Sequence, residues 1–264
     1  EDSVPLASKA AARAMAANVI GGVAVAGAAP AIFVRTNASA TGLLGDDLAA
    51  VVRPGLDAVI LPKVESVAEI ESAAAVLSRH EAATGMKDGT VAIILMIESA
   101  LGVYRCYDLI KASRRVAATC IGGARDGDLQ TDLGCSWSIE GTELLYARSK
   151  VLLDTRAAGN DVFPLDGVFS DLSDEAGLIQ DSRLSARLGY VGRTVIHPKQ
   201  IAPAREAYAV SEADAAYYRR VVNEFEAVEK TGASAAITVD GKLVDYAMYQ
   251  RAKRVLEWAR LDGR

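Results

Sequence analysis

Short apolar runs alternate with amphipathic stretches along most of the chain. Six of these runs are predicted to be strands: residues 31–35, 58–61, 91–97, 116–121, 167–171 and 194–196. Their continuous apolar character is typical of strands buried on both faces of a parallel sheet, whereas a sheet with one solvated face gives alternation. The regular alternation of strands and helices predicts an α/β fold. It favours a (β/α)8 barrel (TIM barrel) over a doubly wound sheet, because no G-x-G-x-x-G motif follows a strand.

Several helices have recognisable start signals. Ser66 and Glu69 form a capping-box pattern, in which each side chain satisfies a backbone N–H of the first turn. Thr142 and Ser211 are candidate N-caps of two later helices. The predicted helices cover approximately residues 8–17, 67–79, 143–158 and 212–230.

Six strands are two short of a closed barrel. The chain begins with Glu-Asp-Ser-Val-Pro, which is typical of the exit of a strand, and a helix follows at once. We therefore expect the first barrel strand and most of the second to be missing from this sequence, which would leave a seam with two unpaired edges. Because the pattern changes near residue 205, we predict a (β/α)8 barrel lacking its N-terminal strand over 1–205 and a C-terminal helical extension over 206–264.

Composition narrows the class of partners. The 264 residues carry a net charge of −5 and their basic residues are scattered, which argues against nucleic acid. No apolar run reaches the roughly 18 residues that a membrane span needs. The nearest, 15–34, contains Asn18 and Pro30. The three cysteines have no metal-site spacing and are expected to be small buried residues of a cytoplasmic protein.

Two carboxylates follow two of the predicted buried strands. Glu98 comes directly after the run 91–97, and Asp128 lies a few residues beyond the run 116–121. The carboxyl ends of parallel strands share one edge of a sheet, and carboxylate oxygens are ligands that Mg²⁺ prefers. The sequence therefore predicts a divalent-metal site and a metal-dependent enzyme. Either carboxylate alone is equally typical of a helix N-cap or a solvated loop.

Seven segments in the right order resemble the citrate lyase beta-subunit-like, or acyl-CoA carbon–carbon lyase, branch of the HpcH/HpaI aldolase superfamily. They are EDSV (1–4) with Lys9 and Arg13, VRTN (34–37), LPKVES (61–66), IES (97–99), DLQTDLG (128–134), IHPKQI (196–201) and DGKLVD (240–245). The resemblance covers nearly the whole chain. It implies a TIM barrel whose second strand normally ends at the EDSV segment, and a C-terminal extension that acts as a lid.

One segment departs from the family pattern. The family usually reads Gly-Ala-Glu-Asp at the end of its sixth strand, whereas this chain reads Gly-Ala-Arg-Asp-Gly-Asp over 123–128. We align the metal-binding aspartate with Asp128, because residues 129–134 then fall into register. Asp126 is the alternative ligand.

The resemblance implies that the chain cleaves or forms the carbon–carbon bond between a 2-oxo acid fragment and an acyl-CoA thioester, so that coenzyme A is part of the substrate. Its cofactor would be Mg²⁺, with Mn²⁺ as an alternative ion, held by Glu98 and Asp128. The metal would polarise the substrate oxygens as a Lewis acid.

Four further residues are expected at the same edge of the sheet. Arg35 ends a predicted strand and is expected to bind a substrate carboxylate or stabilise the developing enolate, with a surface salt bridge as the alternative. Glu65 either orients metal-bound water or helps to start the helix capped by Ser66. Gly122 and Gly123 would let their backbone amides approach an anionic group closely.

Asp245, in the DGKLVD segment, is the expected acid or base. In the family this aspartate is carried on the lid over the active site of a neighbouring subunit, which implies a homo-oligomer, a trimer or a multiple of one. A carboxyl group enclosed there can have a raised pKa and transfer protons. The alternative for Asp245 is an ordinary N-cap before the last helix. Asp240 is expected to be a hairpin-turn residue.

Other residues have weaker interpretations. Lys63 at a strand end is typical of Schiff-base aldolases, but the resemblance implies a metal instead, so we do not expect this role. His197 either touches the substrate or is structural. Four basic residues either contact coenzyme A phosphates or belong to solvated helix faces: Arg148, Lys150, Arg193 and Lys199.

Three other functions stay open at this point. The chain could be a citrate lyase beta subunit that acts on an acyl-carrier-protein thioester, or a free-acid pyruvate-type class II aldolase. The DGKLVD segment disfavours the aldolase, because that branch generally lacks the lid. The altered 122–128 segment also leaves room for a binding protein that uses the barrel as a scaffold.

Overall fold

The structure, a computed structural model, describes residues 3–26, 30–159, 161–230 and 236–261. Its strands are β1 Phe33–Arg35, β2 Ala58–Leu61, β3 Ala92–Ile97, β4 Val116–Ile121, β5 Phe163–Asp166, β6 Gly192–Arg193, β7 Ala236–Val239 and β8 Lys242–Asp245. Its α-helices are α1 Lys9–Ala26, α2 Leu44–Val51, α3 Val67–Ala83, α4 Ala100–Lys111, α5 Asp128–Leu133, α6 Leu145–Ala158, α7 Glu175–Leu188, α8 Ile201–Tyr208, α9 Glu212–Glu229 and α10 Tyr246–Leu261. Glu1 and Asp2 of the EDSV segment lie outside the described residues. The chain divides into two compact units between Ala204 and Arg205.

The first six strands form one parallel sheet whose order is the order of the sequence, from β1 to β6. The central strands β2, β3 and β4 are predicted to within one residue, and the side chains of Ile93, Leu95 and Ile97 are completely buried. This arrangement confirms the α/β fold with a parallel sheet. Within the described residues β1 and β6 are the edges of the sheet, so closure into an eight-stranded barrel stays a prediction.

The predicted strands at 167–171 and 194–196 are wrong. β5 and β6 each lie just before the predicted run. β5 contains Pro164 and ends on Asp166, a buried carboxylate that is paired with Arg148. A strand that buries an ion pair does not give a continuously apolar run, and the apolar residues that suggested a strand belong to the loop that follows.

The helices match their sequence signals more closely. The capping box of α3 is present, with Glu69 N donating to Ser66 Oγ and the Glu69 carboxylate accepting from Ser66 N. Ser211 caps α9 as predicted. Thr142 does not cap α6, which begins at Leu145 without a side-chain cap but ends at Ala158 as expected.

A buried ion pair fixes the amino-terminal ends of β3 and β4. The carboxylate of Glu81, in the last turn of α3, accepts hydrogen bonds from the two terminal nitrogens of Arg115 at 3.0 and 2.7 Å. It also accepts from the backbone amides of Gly89 and Val91. Burial by itself raises the pKa of Glu81, but these donors outweigh it and hold the pKa below its usual value.

We expect Glu81 to make the first unit less stable in acid. Because its pKa is lowered on folding, its contribution is fully present above the ordinary pKa of 4.5 and is lost as the pH falls through the folded-state pKa. Glu81→Gln should therefore reduce the free energy of unfolding at neutral pH and flatten its fall between about pH 7 and pH 3. Urea unfolding of the full chain at several pH values measures this. Glu71→Gln, at an exposed position of the same helix, is the control.

The second unit has its own core. α9, the β7–β8 hairpin and α10 enclose a cluster that includes Val221, Val239 and Val244. The rings of Phe225 and Tyr249 stack at 4.7 Å between centroids. None of the helices in the described ranges is long and apolar enough to cross a lipid bilayer.

Candidate active site

Glu98 is the first residue after β3, at the carboxyl edge of the sheet. Its side chain is almost completely buried, and Oε1 accepts a hydrogen bond of 3.0 Å from the backbone amide of Lys63. The N-cap of the following helix α4 is Ser99, whose side chain accepts from Gly102 N at 3.0 Å. Glu98 is therefore not the helix cap that the sequence left open as its alternative role.

Asp128 lies at the carboxyl edge as well, as the first residue of α5 beyond β4. Its Oδ2 is 3.2 Å from the Nζ of Lys63, and both side chains are about half exposed. Lys63 follows β2, has a left-handed backbone with a φ of 52°, and donates its amide to Glu98. One residue thus touches both predicted metal ligands, through its backbone and its ammonium group.

Asp126 has a different environment. Its backbone is left-handed with a φ of 58°, its side chain is 82% exposed, and its nearest described ion pair is the 3.8 Å contact with Arg125 Nε. Its backbone amide donates to Gln130 Oε1 at 2.8 Å. The structure therefore brings Asp128, and not Asp126, to the lysine that holds Glu98.

Gly122 lies directly against Glu98. Its amide donates to Ile97 O at 2.8 Å, and a Cβ built on Gly122 would be 2.4 Å from the Cβ of Glu98. Only glycine fits here without displacing the glutamate. A Cβ on Gly123, in contrast, would meet no atom within 4 Å, which leaves space beside its backbone.

Arg35 and Glu65 also lie at the carboxyl edge of the sheet, but fewer described contacts hold their side chains. Arg35 ends β1 half-buried, with Nη1 3.9 Å from the sulfur of Met96 on β3. Glu65 follows β2, and only its backbone takes part in described hydrogen bonds, with Glu69 and Arg105. The capping of α3 belongs to Ser66, so the helix-starting alternative for Glu65 receives no support.

Asp245 belongs to the second unit, where it ends β8. Its Oδ1 accepts from Met248 N at 3.0 Å, so that it caps the start of α10. Asp240 has a left-handed φ of 50° and occupies the tight turn between β7 and β8 with Gly241, as predicted. In this chain by itself Asp245 has the N-cap role that the sequence left open as its alternative.

The interpretation of Arg148 and Arg193 as contacts for coenzyme A phosphates is wrong. Both side chains are at most 5% exposed; Arg148 pairs with the buried Asp166, and both arginines pair with Asp181, which is 14% exposed. Lys150 pairs with Asp154 one turn along α6. His197 caps a short 3-10 helix through Nδ1, which accepts from the backbone amide of Lys199 at 3.2 Å.

Two of the three cysteines are buried as predicted. Burial raises the pKa of the Cys106 and Cys120 thiols to about 12, so both stay protonated at neutral pH. Cys135 is only half-buried.

Two carboxylates at this edge are compatible with the coordination that Mg²⁺ usually adopts. The described residues contain no group of three or more His, Cys, Asp and Glu side chains that could hold a metal ion. Mg²⁺ characteristically uses one or two carboxylates and keeps several waters, whereas Zn²⁺ needs three or four protein ligands. Glu98 and Asp128 supply two carboxylates at the same edge of the sheet, and Asp128 is in contact with the Lys63 ammonium.

A parallel α/β sheet with paired carboxylates at its carboxyl edge is typical of metal-dependent α/β enzymes. Comparison with known families makes the assignment specific. Residues 1–198 match the HpcH/HpaI aldolase/citrate lyase family, and residues 149–263 match the C-C_Bond_Lyase family of the TIM-barrel fold. The chain belongs to the HpcH/HpaI aldolase/citrate lyase family, and its class of activity is that of a carbon–carbon lyase.

Individual relatives cover most of the chain. The citrate lyase subunit beta of Escherichia coli (strain K12) is 36% identical over 231 residues, which are 88% of this chain and 74% of that protein. The L-malyl-CoA/beta-methylmalyl-CoA lyase of Rhodobacter capsulatus is 30% identical over 87% of this chain and 76% of its own length. The structure is similar to that of the protein CitE from Mycobacterium tuberculosis in complex with magnesium, acetoacetate and coenzyme A. The TM-score is 0.74, with 27% identity over 98% of this chain and 87% of that one.

The sequence interpretation missed two features of the site. The sequence interpretation considers Lys63 only as a nucleophile, although its place at a strand end puts it at the same edge of the sheet as the predicted ligands. Gly167 was assigned to a strand, whereas the structure places it in the loop after β5, against the backbone of Ile121 and Gly123. A glycine in an apolar run is a recognised signal of such a close backbone approach.

Proposed function

We propose that the chain is a Mg²⁺-dependent lyase that cleaves, or condenses, a 3-hydroxyacyl-CoA such as citramalyl-, malyl- or citryl-CoA, with an acyl-CoA and a 2-oxo acid as the other side of the reaction. The observation that carries the proposal is the meeting of Glu98, Lys63 and Asp128 at the carboxyl edge of β2, β3 and β4. The magnesium and coenzyme A in the similar Mycobacterium tuberculosis structure support it.

Glu98 and Asp128 would hold the metal, with Mn²⁺ as an alternative ion. A bound Mg²⁺ supplies Lewis-acid polarisation of the substrate oxygens. Lys63 holds Glu98 in place through its backbone amide, and its ammonium group would have to leave Asp128 when that carboxylate turns to a cation. Glu65, whose carboxylate has no described polar contact, would orient a water molecule at the same edge.

Arg35 would bind the carboxylate of the 2-oxo acid fragment. Arg35 is the last residue of β1, at the same edge of the sheet. Its guanidinium has two parallel N–H donors, which match the two oxygens of a carboxylate. The open space beside Gly123 would let a substrate oxygen approach the backbone there, while Gly122 keeps Glu98 fixed. These groups bind and orient the substrate without transferring protons.

Proton transfer is assigned to Asp245 on a lid formed by residues 206–264, which would close over a neighbouring barrel in a trimer or a multiple of one. The support is its place in the DGKLVD segment and the fact that β8 and α10 belong to a separate compact unit. The eight-stranded barrel and a cytoplasmic location are part of the same proposal.

A second candidate is a citrate lyase beta subunit acting on an acyl-carrier-protein thioester. The 36% identity with the Escherichia coli citrate lyase subunit beta favours it over the free-acid aldolase. The two candidates share the chemistry at the metal and differ in what carries the thioester.

A substrate panel separates these functions. The full chain is incubated with citramalyl-, malyl- and citryl-CoA, with a citryl thioester of an acyl-carrier protein, and with a free 4-hydroxy-2-oxo acid. Each substrate is tested with Mg²⁺ and with EDTA, and release of the 2-oxo acid is followed. We expect Mg²⁺-dependent cleavage of a coenzyme A thioester. Cleavage of the carrier-protein thioester alone would favour the second candidate, and turnover of the free acid alone would contradict both.

The choice between Asp128 and Asp126 is open to a direct test. We expect Asp128→Asn to weaken Mn²⁺ binding by about 100-fold or more, because it removes one of two charged ligands. Asp126→Asn should change the dissociation constant by no more than about twofold, as for an exposed residue. Electron paramagnetic resonance of free Mn²⁺ in titrations of both variants measures this. The reverse order of effects would make Asp126 the ligand.

A further inference from the structure

We propose that Arg193 is a positioning residue for the metal site, acting on Glu98 through the backbone of Gly167 and Gly122. The proposal rests on the proposed function only for the statement that Glu98 binds metal. Its structural part, that Arg193 fixes the turn beside Glu98, concerns contacts within the first unit.

Both backbone groups of Gly167 are held by buried charges. Its carbonyl oxygen accepts two hydrogen bonds from the Arg193 guanidinium, from Nε at 3.1 Å and from Nη2 at 2.8 Å. Its amide donates to Asp166 Oδ1 at 2.8 Å. The side chains of Arg193 and Asp166 are each only 2% exposed. Because a charged side chain binds on each side of the residue, the two peptide groups that flank Gly167 are held in their orientations.

Gly167 packs directly against the loop that follows β4. A Cβ on Gly167 would be 2.6 Å from Gly123 N and from Ile121 O, so the two backbones are in direct contact. The same loop contains Gly122, which lies against the Cβ of Glu98. A continuous chain of close contacts therefore leads from the Arg193 guanidinium to the buried carboxylate.

The charges around Arg193 form a closed network. Asp181 accepts from Arg193 Nη2 at 2.8 Å and from Arg148 Nη1 at 2.9 Å, and Arg148 also pairs with Asp166. Attraction to the two aspartates outweighs the cost of burial and raises the pKa of Arg148 above its usual range. Tyr190 Oη donates to the backbone oxygen of Arg148 at 2.8 Å, which fixes α6 beside the network.

Stability alone is a poor reason for such a network. Burying three charges and most of a fourth costs desolvation energy that their attraction roughly repays, so apolar residues of the same volume often serve a core as well. Arg148 Nε is also buried without a hydrogen-bond partner among the described residues. What an apolar core could not supply is the pair of directed contacts to the carbonyl and amide of Gly167.

The test compares two arginine-to-lysine substitutions in the full chain. Arg193→Lys keeps the charge but loses the planar fork that reaches Gly167 O. Arg115→Lys is the matched control, because Arg115 is also buried and paired, with Glu81, but at the amino-terminal end of β4. Hydrogen exchange of peptides covering 121–127, followed by mass spectrometry, reports on the turn. Titration with Mn²⁺ reports on the metal site.

We expect Arg193→Lys to speed exchange over 121–127 by about tenfold or more and to weaken Mn²⁺ binding by about 10- to 100-fold. Arg115→Lys should change neither, even where both variants lose similar stability against urea. Gly167→Ala, which adds the methyl that meets Gly123 N, should reproduce both effects of Arg193→Lys.

Unchanged exchange over 121–127 in Arg193→Lys would overturn the proposal, as would equal effects of the two arginine variants. Faster exchange with unchanged Mn²⁺ affinity would also overturn it, because the turn would then not act on Glu98. If the unmodified chain binds no Mn²⁺, the proposed metal function fails, while the exchange result still decides whether Arg193 fixes the turn.

Discussion

Replacing Glu98 with glutamine is expected to lower kcat/KM for thioester cleavage by about 1000-fold or more. Glutamine has the same shape and keeps an oxygen that can accept from Lys63 N, so the edge of the sheet stays folded. It removes one of the two anionic ligands, and Lewis-acid stabilisation by a metal contributes several kcal/mol to the transition state, with about 1.4 kcal/mol for each factor of ten.

Steady-state cleavage of a coenzyme A thioester at saturating Mg²⁺, together with Mn²⁺ titration, measures this effect. Glu71→Gln is the control, since it makes the same chemical change at an exposed position of α3. The account requires that activity and Mn²⁺ affinity fall together in Glu98→Gln. A variant that binds no Mn²⁺ but turns over at the original rate would remove the metal from the mechanism.

Replacing Gly122 with alanine is expected to have a comparable effect, although the residue carries no functional group. Its new methyl would be 2.4 Å from Glu98 Cβ, a distance that real side chains do not adopt, and 3.1 Å from Glu98 Cα, which is a tight contact. The backbone of Glu98 or of the turn must therefore move. A shift of about 1 Å in a ligand costs on the order of 100-fold in rate.

Gly45→Ala is the matched control, because a methyl at that position of α2 meets no atom within 4 Å. We expect Gly122→Ala to lose at least about 100-fold in kcat/KM and Gly45→Ala to keep the original rate. Far-ultraviolet circular dichroism and urea unfolding show whether Gly122→Ala is folded when its rate is measured. A folded Gly122→Ala variant with full activity would mean that Glu98 tolerates displacement and is not a ligand.

The centre of the sheet could be predicted from the sequence because burial on both faces leaves a continuous apolar run. β2, β3 and β4 have that pattern, and the rule that parallel strands end at one edge then located Glu98 and Asp128. β5 and β6 escaped prediction because their ends are polar. Asp166 and Arg193 are each buried beside an oppositely charged partner, and a local apolar pattern does not reveal that partner.

Lys63 is another residue whose contacts could not be predicted from the sequence around it. Residues 63 and 98 are linked by a hydrogen bond across 35 positions of the sequence, and a local pattern carries no information about such a contact. The left-handed backbone of Lys63 is also uncommon for a residue other than glycine. The order of the motifs in the sequence identified the LPKVES segment. The contact of Lys63 with Glu98 is visible only in the folded structure.

Asp245 has an observed role as a helix cap and a proposed role in proton transfer. Its carboxylate caps α10 in the second unit, and a role in catalysis would require the lid to meet a barrel. Capping and proton transfer are compatible, because the cap uses Oδ1 and leaves Oδ2 for a second contact.

The most direct test of the account is the release of 2-oxo acid and acyl-CoA from a 3-hydroxyacyl-CoA by the full chain, first in EDTA and then after excess Mg²⁺ is returned to the same sample. We expect no release in EDTA and, after Mg²⁺ is returned, equal amounts of the two products. Cleavage that proceeds unchanged in EDTA, or release of free coenzyme A without a 2-oxo acid, would contradict it.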